Sequence, residues 1–91
     1  MTQNQEVLIK ELLYRSEHRG CKETDILLGE FAAASLVGMS DELLKDYAEL
    51  IAHNDANIFA WLTGQMPYPA NLNHELLEQI KIFHQNKHER N

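Results

Sequence analysis

Apolar residues recur three or four positions apart in five separate stretches of this chain, and no stretch sustains the apolar–polar alternation of a half-buried strand. That period commits the chain to helices and leaves little for anything else. The first stretch runs from about Glu6 to Glu17, with Leu8, Ile9, Leu12 and Leu13 as its stripe, and Gly20 interrupts it. The second runs from about Lys22 to Val37 with Leu27, Leu28, Phe31 and Ala34 on one face, and Gly38 stands as its stop. Ser40 reads as an N-cap, and Asp41 and Glu42 sit well against the positive end of the helix dipole. Leu43, Leu44, Tyr47, Leu50 and Ile51 give the third helix the clearest pattern in the chain.

Asn54 or Asp55 caps a short fourth helix through Ile58, Phe59, Trp61 and Leu62, and Gly64 closes it. Both prolines fall in QMPYPAN, which predicts a loop. The last helix begins near Asn71 or Asn73 and uses Leu76, Leu77, Ile80 and Phe83. The expected architecture is an all-α, compact five-helix bundle in one domain over residues 1–91. Its core spans about residues 6–84, and a frayed tail follows over 85–91. At this length one core is affordable and a deep substrate cavity is not.

The formal charge of −6 opposes broad phosphate binding, since nucleic-acid binders carry a basic stripe. The charge is unevenly placed. Residues 10–22 carry Lys10, Arg15, Arg19 and Lys22 against Glu11 and Glu17, whereas residues 23–55 carry eight carboxylates against Lys45 alone. A small regulator laying its second or third helix in a nucleic-acid groove is the rival reading, and that acidic run weighs against it. No apolar run approaches the ~20 residues of a membrane span. The polar start MTQNQEVLIK predicts neither a secretory signal nor a transit peptide, so a cytosolic protein is the expectation; a monomer is expected as well. One cysteine fits a reducing compartment.

Several groups invite a chemical reading. Cys21 is the single thiol, three residues after His18, but no third orienting group accompanies it, so an apolar-behaving cysteine is the plainer account. His84 and His88 have metal-gripping i, i+4 spacing without the Glu of H-E-x-x-H, and no metal is expected. Phe59 and Trp61 point different ways from one helix, so one belongs in the core and the other partly outside. Glycine-rich phosphate loops are absent. That leaves residues 18–25, HRGCKETD, at a helix junction. Gly20 can take a positive φ or admit a close backbone approach. Arg19 offers a five-donor fork, and Glu23, four residues on, meets the second helix's dipole or pairs with Arg19. As a solvated ion pair this corner contributes only ~0–1 kcal/mol.

Arg19-Gly20-x-x-Glu23-x-Asp25 followed by Ile26-Leu27-Leu28 resembles the RGxxExD signature of the succinate dehydrogenase assembly factor 2 family. These small flavinylation factors are also called SdhE and, in some descriptions, the antitoxin CptB. Leu43 to Tyr47 and the run Asp55 to Leu62 look like the family's later D-x-x-L-x-x-W-L segment, and the resemblance covers roughly residues 8–84. Three positions depart from the usual pattern: Cys21 replaces a common methionine, Thr24 a usual leucine and His18 a frequent second arginine. The resemblance implies a non-enzymatic, chaperone-like assembly factor. It would bind the flavoprotein subunit of succinate dehydrogenase, or of fumarate reductase, and promote covalent FAD attachment there. FAD would belong to that partner and not be held stably by the small protein. Arg19, Gly20 and Glu23 would form the contact centre, with Arg15, His18 and Asp25 beside it, and Arg19→Ala would leave the fold intact.

Overall fold

A computed structural model describes the backbone of residues 3–89 and the side chains of residues 4–86. Among the described residues five α-helices follow one another: α1 Gln3–Glu17, α2 Lys22–Ser35, α3 Asp41–Ile51, α4 Asp55–Leu62 and α5 His74–Glu89, with one 3₁₀ turn, Leu36–Gly38, after α2. No strand occurs among the described residues. The radius of gyration, 12.6 Å, matches the ~12 Å of a folded chain this long. Among the described residues no helix is long and apolar enough to cross a membrane.

The caps lie where local chemistry puts them. Ser40 Oγ accepts from Leu43 N at 3.2 Å, Asn54 Oδ1 from Asn57 N at 2.8 Å and Asn73 Oδ1 from Leu76 N at 3.1 Å. Each satisfies one of the orphan donors at a helix start. Gly64 ends α4 with φ +79°. Gly38 behaves otherwise than expected: α2 stops at Ser35, tightens into the 3₁₀ turn, and Gly38 keeps a negative φ. The last helix extends to Glu89.

One core joins all the helices. Leu12 of α1, Leu28 and Phe31 of α2, Leu44 and Tyr47 of α3, Ile58 and Trp61 of α4, and Leu77 and Ile80 of α5 are all buried. Truncating any of the fully buried leucines to Ala costs about 2–5 kcal/mol. Ala34 faces solvent and Ala32 takes its place inside. Trp61 is core, while Phe59 is half-buried. Tyr47 brings its hydroxyl into this core, 2.6 Å from Ser16 Oγ and 3.3 Å from the Leu28 carbonyl. Ser16 Oγ in turn bonds the Leu12 carbonyl at 2.7 Å. Among the described residues no buried side-chain polar atom is left unsatisfied, which a low-dielectric interior demands.

Candidate functional site

Residues 18–21 turn the chain from α1 into α2. Gly20 has φ +93°, a region L side chains rarely adopt, and a Cβ there would meet nothing within 4 Å. The glycine is required by the backbone angle, and the space around it is open. Cys21 starts α2 in an extended conformation without a side-chain cap, and its carbonyl accepts from Asp25 N at 2.9 Å and Thr24 Oγ1 at 3.2 Å. Asp25 reaches back across the turn and accepts from Arg19 N at 2.7 Å. Three local bonds therefore hold the corner closed.

Arg19 directs its fork into this chain. Its guanidinium turns inward, with the side chain only 11% exposed. Nε donates to Asp55 Oδ1 at 2.5 Å, Nη1 to the Ile51 carbonyl at 2.7 Å and Nη2 to the His53 carbonyl at 2.6 Å. Ile51 ends α3 and Asp55 begins α4, so one side chain satisfies carbonyls at a helix C-terminus and pairs with the acid opening the next helix. Arg19 and Glu23 do not pair. Gly20 ends the helical geometry that i, i+4 contacts need, and Arg19 lies in the turn.

Glu23 stays outside. Its own backbone N–H, and then the Cys21 thiol donating at 3.3 Å, hold its carboxyl below the usual carboxylate range. Arg15 and His18 are exposed at the end of α1. His18 Nδ1 lies 2.9 Å from the Tyr14 carbonyl and its ring stacks on Tyr14 at 4.1 Å. The six residues singled out from the sequence thus divide. Arg19 and Asp25 brace the corner, Gly20 and Glu23 form its outer edge, and Arg15 and His18 lie one turn back along α1.

Next to Glu23 an open groove of about 430 Å³ runs between the start of α2 and α4, lined by Cys21, Glu23, Asp55, Ala56 and Phe59. Sequence reasoning missed this neighbourhood. Asp55 is 36 residues from Arg19, and its helix-start position accounted for it fully. The exposed half of Phe59 was the available signal. No group of three or more His, Cys, Asp or Glu side chains suited to a metal occurs among the described residues. His84 Nε2 lies 2.7 Å from the Leu27 carbonyl, and the His88 side chain lies outside the described residues.

Residues 10–84 match the family model described as flavinator of succinate dehydrogenase. The chain is 40% identical over 80 residues to the mitochondrial succinate dehydrogenase assembly factor 2 of Saccharomyces cerevisiae strain S288c, covering 84% of this chain and 49% of that protein. The zebrafish (Danio rerio) protein of the same name is 40% identical over 80 residues, covering 86% and 51%. That of Dictyostelium discoideum is 36% identical over 76 residues, covering 84% and 54%. The chain spans about half the length of these relatives.

Proposed function

Because the chain belongs to the flavinator of succinate dehydrogenase family, we propose that it binds the flavoprotein subunit of succinate dehydrogenase, or of fumarate reductase, and promotes covalent attachment of FAD to a histidine there. The chemistry belongs to flavin and client, and this chain supplies orientation. It acts as an assembly factor and not as an enzyme.

One observation carries the choice of surface: the family match spans a corner whose outer edge, Gly20 and Glu23, is exposed while Arg19 anchors it from inside. Gly20 lets a partner backbone come close, and the Glu23 carboxylate accepts N–H bonds or a cation from it. Arg19 serves as a positioning residue, fixing where that edge stands relative to α4. FAD stays with the client, since its diphosphate would meet Glu23, Asp25 and Asp55 at this corner.

Glu23→Ala tests the surface without disturbing the core. Co-expressed with the client subunit, it should melt like the parent chain yet leave the client with little covalent flavin, read as fluorescence in a denaturing gel. Gly20→Arg should likewise leave the client with little covalent flavin, beyond any loss seen for Gly20→Ala, which shares its backbone strain. Full flavin fluorescence with both Glu23→Ala and Gly20→Arg rejects the proposed surface.

A further inference from the structure

We propose that the groove beside Glu23 takes a cationic side chain, arginine or lysine, together with a neighbouring apolar residue of the flavoprotein subunit. This rests on the functional reading above and names what that partner must present. Two carboxylates from different helices face the groove, Glu23 from the first turn of α2 and Asp55 from the first residue of α4, with Cys21, Ala56 and Phe59 as its apolar walls.

The carboxylates differ in what they can offer. Asp55 gives Oδ1 to Arg19 and keeps 24% of its side chain exposed, so most of its charge is already met. Glu23 is exposed; the charge of its neighbour Lys22 acts on the carboxylate from a distance, but no lysine or arginine of the described residues lies within ion-pairing distance of it. The Cys21 thiol and the helix start favour its charged form. A visiting guanidinium could bond Glu23 while resting its flat face on Phe59, a combination that suits arginine particularly. Beside it the apolar walls favour an aliphatic or aromatic neighbour over a second charge. Anionic occupants, including the diphosphate of a flavin nucleotide, are opposed by both acids.

The test uses Ala56→Trp, which fills the groove from an exposed position in α4 and leaves Gly20 and Glu23 untouched. Binding of the purified apo flavoprotein subunit should weaken roughly tenfold or more with Ala56→Trp and with Glu23→Gln, the size of one charge-assisted contact. The exposed-site control Val37→Lys should bind like the parent chain. Parent-like binding by Ala56→Trp, alongside loss by Gly20→Arg, overturns the groove and leaves the corner as the contact. A parent chain that fails to bind the subunit overturns the functional reading and with it this choice of occupant. The groove is then read by itself, by amide NMR with N-acetyl-arginyl-phenylalanine amide and its glutamyl counterpart as probes. Saturable shifts at Cys21, Glu23, Ala56 and Phe59 with the arginyl probe alone support the cation preference. Equal response to both probes, or to neither, overturns it. Self-association of the parent chain that Ala56→Trp abolishes would show that a second copy fills the groove, and would also overturn the proposal.

Discussion

Arg19 and Asp55, 36 residues apart in the chain, meet at 2.5 Å and fasten the α1–α2 corner to the start of α4. With the carbonyls of Ile51 and His53 on its other nitrogens, this guanidinium closes three loose ends of backbone and side chain at once.

Arg19→Ala should therefore destabilise the fold and not only weaken a surface. Two carbonyls and a half-buried carboxylate lose a charged donor, at a cost of about 2 kcal/mol after allowing for water reaching the site. For a domain of this size that lowers the melting temperature by roughly 10 °C. Arg19→Lys should recover only part of it, because a single ammonium cannot span three acceptors in a fork. Thermal melts followed by circular dichroism decide; an unshifted Arg19→Ala melt would show that the clamp contributes nothing to stability.

Gly20→Ala should cost about 1 kcal/mol by itself, because φ +93° suits glycine and the new Cβ touches nothing that could offset the strain. Urea denaturation reads this directly, with an unchanged midpoint as the contrary result.

Glu23 should titrate below the ordinary glutamate range, as carboxyl-carbon NMR would show. Its backbone N–H is the larger cause and the Cys21 thiol the next. Cys21→Ala should accordingly raise the midpoint only part of the way. The sign is that of a depressed carboxylate: the stabilisation is present above the unfolded-state pKa and is lost as pH falls through the lower folded value. A cation held by Glu23 should consequently stay bound to a lower pH than an ordinary glutamate would permit. A midpoint that does not move in Cys21→Ala would remove the thiol from this account.

Burial pushes the Tyr47 hydroxyl up to about 12 from its ordinary 10. The unfolded chain loses this proton first, so stability should be whole below pH ~10 and decline between about 10 and 12 as the folded state alone retains the proton. Tyr68, raised to about 12 mainly by burial and then by its bond to Glu78, adds to the same slope. Tyr47→Phe should flatten the alkaline fall in melting temperature and cost about 1 kcal/mol at neutral pH through the lost Ser16 contact. An alkaline slope identical to the parent's would contradict the assignment.

Helix identity was readable from the chain because its causes are local. The 3.6-residue stripes, the Ser40 and Asn54 caps and the proline loop all act within one or two turns of the backbone, and the structure keeps each of them. The corner was readable too, since Gly20 interrupts a helical period, and the family match over residues 10–84 includes it.

What each residue of that corner does was decided by packing between helices distant in sequence. A guanidinium chooses among acceptors by distance and desolvation, and the spacing that suggested Glu23 gave no hint that α3 would end, and α4 begin, against Arg19. Only the assembled bundle put Asp55 and two free carbonyls within reach, turned the arginine inward and left Glu23 facing out. The amino-acid order determined the helices and the place of the turn; the three-dimensional arrangement determined which of its charges is committed to the fold and which is left exposed.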